Sequence, residues 1–192
     1  MSENWREEFD AKMLEQRTRS QTAAKGDFKG GLGGQSRQHK KYHTATHLTY
    51  QALRNVLGDH VVQRGSNITQ ERMRFDFSHP QKMTPEQVKQ AEDLVNAAIL
   101  KDYPVSFAEM SFDEAKAKGA IGLFEDKYQG KVKVYTVGDP DKPAMADASS
   151  PTFSREVCGG PHVEHTGMIG KFRIIKEEAV SAGVRRIKAV VG

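Results

Sequence analysis

A chain of 192 residues with 37% hydrophobic and 28% charged residues can bury one substantial core and still present a polar surface. Its formal net charge of +4 permits a polyanionic partner without requiring one, and no apolar run approaches a membrane span of roughly 20 residues or the apolar stretch of a signal peptide. The single cysteine excludes an intrachain disulfide and suits a reducing cytoplasm, where a lone thiol serves as ligand, nucleophile or small core residue.

Residues 4–24 read as a polar helix, with Trp5, Phe9 and Met13 at helical spacing among many charges. Five glycines in the nine residues 26–34 follow, and without an evident strand before or helix directly after they read as a linker, not a phosphate cradle. Lys25, Lys29, Arg37, His39, Lys40 and Lys41 make this stretch cationic, and residues 1–41 are assigned to an N-terminal helix with a basic Gly-rich linker. Residues 42–57 form the next expected helix: Ala45, Leu48, Ala52 and Val56 make its apolar stripe, His43 and His47 border it, and Gly58 stops it.

Strands are expected near 61–65 and 71–78, around a turn at Gly65-Ser66-Asn67. In the second, Met73, Phe75 and Phe77 alternate with Arg72, Arg74 and Asp76. Thr84-Pro85-Glu86-Gln87 is a capping box opening a helix buried through Val88, Ala91, Val95 and Ile99. A strand at 104–110, a second capping box at Ser111-Phe112-Asp113-Glu114, a short helix ended by Gly119 and a helical stretch near 123–128 come next. After a strand at 131–137, residues 138–152 hold three prolines and read as a long loop. A strand into Cys158 and two more near 171–175 and 184–191 complete an α+β fold, a mostly antiparallel sheet packed with helices.

The chemistry lies in two pairs. His43 and His47, four apart on a helix, emerge on one face. Cys158-Gly159-Gly160-Pro161-His162 sets a thiolate and an imidazole around a sharp turn after a strand. Three imidazoles and a thiolate on two distant segments are the donor set of a tetrahedral zinc site held between a helix and a strand-turn segment. Four protein ligands close a coordination shell, whereas hydrolytic zinc usually keeps a position open, and spacing alone does not choose between structural and catalytic metal. A Cys158 nucleophile activated by His162 leaves the His43/His47 pair without a role. His39, His60, His79 and His165 lack partners at ligand spacing and read as surface or loop residues.

The stretches His43-Thr44-Ala45-Thr46-His47-Leu48, Gly65-Ser66, Arg72 to His79, Phe153 to Val163, Thr166-Gly167 and Ala182 to Ile187 together resemble the editing domain of alanyl-tRNA synthetase. That domain also occurs in free-standing alanyl-tRNA editing proteins and, more distantly, in threonyl-tRNA synthetase. The match runs in order over residues 42–192, and the N-terminal helix resembles the segment that precedes the domain in the synthetase.

The resemblance implies a cytoplasmic, ATP-independent deacylase. It would release serine or glycine wrongly attached to alanine tRNA, with His43, His47, Cys158 and His162 as zinc ligands and Thr46 and Gln63 in the editing pocket. A hydroxyl or amide that bonds the serine hydroxyl would disfavour alanine, which leaves it unpaired. Arg72, Arg74, Arg185 and Arg186 are candidate contacts to tRNA phosphates. The chain shows no charging signature, which implies a free-standing editing protein or a piece of a synthetase, with alanyl-tRNA synthetase as a possible partner. Pro161 gives the Gly-Pro-His form similar to threonyl-tRNA synthetase, so serine on threonine tRNA is an alternative substrate. The 138–152 loop looks like an insertion. Two other expectations are a non-catalytic tRNA- or synthetase-binding module with structural zinc, and an unrelated metallohydrolase. The latter lacks a Glu within the His43–His47 turn to act as base.

Overall fold

The computed structural model describes residues 36–121, 130–144 and 149–192. The expected N-terminal helix, the glycine-rich stretch and the helical stretch near 123–128 lie outside the described residues.

Helix α1, Arg37–Leu57, starts five residues before the expected boundary because Ser36 caps it, its hydroxyl accepting from the His39 amide at 3.3 Å. Gly58 ends it at φ 110°, a conformation that favours glycine. Strands β1, Gln63–Ile68, and β2, Met73–Ser78, form an antiparallel hairpin. Its turn is at Thr69–Arg72, not at Gly65-Ser66-Asn67. The Thr69 hydroxyl accepts the amides of Glu71 and Arg72, each at 3.3 Å, and closes the chain there. Gly65 sits inside β1, where the register shifts, and lies against the Asp76 carboxylate.

Helix α2, Pro85–Leu100, begins with the expected reciprocal cap: Gln87 N donates to the Thr84 hydroxyl, and Thr84 N to the Gln87 amide oxygen. Strand β3, Val105–Ser111, leads through a second such box into the short α3, Phe112–Ala117. Strands β4, Lys131–Gly138, and β5, Thr152–Val157, follow, then a 3-10 turn at Thr166–Ile169 and the long hairpin of β6, Phe172–Ser181, and β7, Val184–Val191.

Every strand pairing is antiparallel, in two sheets ordered β1-β2-β7-β6 and β3-β4-β5. Alternation decides which faces are buried. Met73, Phe75 and Phe77 on β2 and Ile187 and Ala189 on β7 join Leu48, Ala52 and Leu53 of α1 and Ala91, Val95 and Ala98 of α2 in one core. Asn96 of α2 mimics a strand, exchanging two 2.9 Å hydrogen bonds with the backbone of Phe172. A smaller core of Ala115, Val132, Val134 and Val157 sits under α3. Helix α1 touches both sheets, contacting β1, β2 and β7 on one side and β5 on the other. That position brings its histidines to the end of β5.

The 138–152 loop is held by a buried cation. Arg155 of β5 donates to the carbonyls of Pro140 (2.8 Å), Lys142 (2.9 Å) and Lys118 (2.8 Å) and to the Thr136 hydroxyl (3.3 Å). Among the described residues it has no carboxylate partner.

Candidate metal centre

His43 and His47 stand one turn apart on α1, and the chain leaves β5 straight into Cys158, Gly159, Gly160, Pro161 and His162. One ligand atom from each of His43, His47, Cys158 and His162 falls in a cluster whose members all lie within 4.8 Å of one another. Cys158 Sγ is 3.3 Å from His43 Nε2. With zinc–sulfur and zinc–nitrogen bonds of about 2.3 and about 2.1 Å, tetrahedral ligands stand roughly 3.4–3.6 Å apart, so this edge is already at ligand spacing.

Each imidazole is oriented by an oxygen on its far nitrogen. His43 Nδ1 is 3.0 Å from the Pro161 carbonyl, which only accepts. His47 Nδ1 is 2.5 Å from the Glu156 carboxylate. His162 Nδ1 is 3.2 Å from the Thr44 hydroxyl, whose one proton goes to the Lys40 carbonyl at 3.0 Å. Thr44 therefore accepts from His162, and also from the Val163 amide at 3.2 Å. All three rings carry their proton on Nδ1 and turn Nε2 inward, the tautomer a metal needs. His47 Nε2 and His162 Nε2 are buried without any hydrogen-bond partner. Two orphaned imidazole nitrogens beside a thiol are costly unless a cation takes them.

Electrostatics agree with a metal-ready cluster. Burial would push the Cys158 thiol up, yet the His47 charge and the imidazoles of His162 and His43 bring it down to about 2. Burial drives His162 down to about 3, so it stays neutral at any physiological pH. Burial also opposes charge on His47, but Glu156 and the Cys158 thiolate outweigh it and hold the imidazolium well above its ordinary value. Proton and metal therefore compete for the His47 and Cys158 donor atoms, so zinc binding is expected to release protons.

Glu156 and Thr44 were not among the expected site residues. Glu156 had a signal, since strand alternation puts residues 156 and 158 on one face. Thr44 had none, because its role exists only once residue 162 is folded against it. We expect Thr44→Val, which keeps the shape and removes the acceptor, to weaken zinc binding about 10–100-fold, and Thr44→Ser to stay near wild type. Competition against a chromophoric chelator reads both.

The remaining candidates fall as follows. Thr46 is buried, its hydroxyl donating to the Tyr42 carbonyl at 2.8 Å and lying 3.8 Å from Met73 Sδ. Gln63 is half-buried and opens β1 opposite Phe77. Arg186 forks onto Asp76 at 2.7 and 2.8 Å, and Arg185 onto Glu177 at 2.6 and 2.8 Å. Arg74 stands 3.8 Å from Asp76, and Arg72 donates to the Asn67 carbonyl. Among the other histidines only His39 departs from the expectation of a surface or loop residue: it lies on α1, is buried, and its ring is 2.7 Å from the Ser36 hydroxyl. His60 and His79 lie outside the helices and strands as expected, and His60 Nε2 meets His79 Nδ1 at 2.9 Å. His165, also outside the strands, bonds the Asp102 carboxylate and is partly exposed.

Residues 132–188, which include β4, β5, Cys158 and His162, match the model of the threonyl and alanyl tRNA synthetase second additional domain. Over that stretch the chain is similar to this domain family. Two alanine–tRNA ligases extend the likeness: that of Treponema denticola is 53% identical over 97% of the chain, and that of Treponema pallidum 50% over 95%. The Shewanella amazonensis alanine–tRNA ligase is 50% identical over 78%. The chain spans under a third of each relative, 29%, 28% and 16% of their lengths. The additional domain match and the His43/His47 pair thus lie together within one stretch shared with the Treponema ligases. No described helix is long and apolar enough to cross a membrane.

Proposed function

We propose that this chain is a zinc-dependent aminoacyl-tRNA deacylase that removes serine or glycine from wrongly charged alanine tRNA in the cytoplasm. The observation that carries the reading is the convergence of four donors with two buried, partnerless Nε2 atoms. The match of residues 132–188 to the additional domain, and the similarity to the ligases, support a role toward tRNA.

His43, His47, Cys158 and His162 would hold the ion. When bound, zinc supplies positive charge that polarises and orients the substrate. The aminoacyl ester is already reactive, so positioning a water and excluding competing geometry suffices for a large acceleration. Thr46 and Gln63 are proposed to read the serine hydroxyl. Thr46 would do so as an acceptor, since its proton goes to Tyr42. Alanine would leave these groups unpaired, which gives the discrimination. Arg72, Arg74, Arg185 and Arg186 are proposed as phosphate contacts, the last two by exchanging a carboxylate for a phosphate.

Four protein donors favour a second reading: a tRNA- or synthetase-binding module in which zinc is structural. Alanine and threonine tRNAs, each charged with serine, and alanine-charged alanine tRNA discriminate the two. Release of serine with alanine retained supports the deacylase, and preference between the two seryl-tRNAs identifies the tRNA. Binding with no release of either amino acid supports the module.

A further inference from the structure

One rung of the β3-β4-β5 sheet runs from the metal centre to the surface. Glu156 is the cross-strand partner of Tyr135, and Tyr135 of Phe107, so the three side chains share a face. Glu156 holds His47. The Tyr135 ring lies 4.2 Å, centroid to centroid, from that of His162. Phe107, on the edge strand, is 5.3 Å from Tyr135 and 52% exposed. A ring half exposed on an edge strand contributes less to the fold than a core ring, and Phe107 is left with about half its surface open beside Tyr135 and Lys133. Lys133, one rung along, places Nζ 4.9 Å above the Phe107 ring and only 4.0 Å from Glu109, a loose and exposed tether.

The Tyr135 hydroxyl has no hydrogen-bond partner among the described residues. It lies against Gly160 of the ligand turn, where φ is +67° and a Cβ would run into it. The turn therefore needs glycine at 160 for this phenol to reach the rim of the site. Ring, ring and cation, ending in an unpaired hydroxyl beside the Cys158–His162 turn, are the parts with which proteins hold an unpaired base and its backbone. Two strand spacings separate the β5 and β3 backbones, roughly 10 Å, a span of about the size of one nucleoside.

We propose that Phe107 and Tyr135 form a stacking platform for the terminal nucleobase of the acylated RNA strand, with Lys133 beside it for the phosphate. The proposal rests on the deacylase reading, and it adds where the nucleoside lies. It makes Phe107 a substrate-binding residue outside the ligand set.

The test uses the full chain loaded with zinc and an alanine tRNA carrying 2-aminopurine as its terminal base. Stacking on the platform quenches that fluorophore, whereas anisotropy of a label elsewhere on the tRNA reports binding separately. Phe107→Ala is expected to abolish the quench and raise KM for seryl-tRNA roughly tenfold with kcat little changed, while Phe107→Trp restores both. With a tRNA whose terminal nucleotide is abasic, wild type and Phe107→Ala should become equal. Zinc content and circular dichroism of Phe107→Ala should match wild type, since the ring is outside the core. A wild type that hydrolyses seryl-tRNA while Phe107→Ala keeps its KM and quench overturns the platform alone. A wild type that leaves seryl-tRNA intact overturns the deacylase reading and the platform with it.

Discussion

Cys158→Ala is expected to bind zinc more than a hundredfold more weakly than wild type and to lose serine release from seryl-tRNA. The lower bound follows from the outer-sphere partners: losing a residue that only orients a ligand costs about 10–100-fold, and Cys158 is the sole thiolate. The cost falls on the metal rather than on the apolar core, because Cys158 is only partly buried and touches His43 and the Gly160 amide. The protein's melting behaviour should show this. Zinc at a hundredfold over its dissociation constant stabilises a fold by about 2.7 kcal/mol. Adding a chelator should therefore lower the wild-type melting temperature by several degrees and leave that of Cys158→Ala where it is. Thermal melts with and without chelator, beside a zinc competition titration, check it. A variant that keeps stoichiometric zinc at wild-type affinity would remove the thiolate from the ligand set.

The largest loss of stability away from the metal is expected at Arg155. Its guanidinium meets three carbonyls and a hydroxyl from three separate segments, and all of them lose their donor at once in Arg155→Met. A fully buried acceptor left unmatched costs on the order of 1–3 kcal/mol, and the three part-buried carbonyls recover part of that from water. A total of about 3–5 kcal/mol corresponds to a fall of roughly 10 °C in melting temperature for a domain of this size. Arg155→Lys should fall nearly as far, since one ammonium cannot span a fork directed at Pro140, Lys142 and Lys118. Melts of the zinc-loaded proteins measure it, and limited proteolysis should then open the 138–152 loop first.

The convergence of the four candidate donors was legible in the sequence because both pairs carry local geometry. A four-residue spacing on a helix needs no tertiary information to place His43 beside His47, and the two glycines after Cys158 announce a turn. The two capping boxes were legible for the same reason, since Thr84 with Gln87 and Ser111 with Glu114 satisfy backbone groups within three residues. The β1–β2 turn was not. Gly65-Ser66-Asn67 has the composition of a turn, but the Thr69 hydroxyl offered the backbone a better closure, and the glycine was used instead to let β1 pass the Asp76 carboxylate. Thr44, Tyr135 and the His60–His79 contact were hidden because each depends on a partner more than fifteen residues away. Arg185 and Arg186 look from sequence like free phosphate ligands. Folding sets carboxylates from β6 and β2 against them, and any role toward RNA must compete with those pairs.

The central claim is that metal at His43, His47, Cys158 and His162 is what makes the chain an editing hydrolase. The most direct measurement is serine release from seryl-alanine tRNA by one preparation in three states: as isolated, stripped by a chelator, and restored with one equivalent of zinc. Release that disappears on stripping and returns with zinc, with alanyl-alanine tRNA left intact throughout, is the predicted result. Release that persists undiminished in the stripped protein, or that never exceeds spontaneous ester hydrolysis in any state, would contradict it.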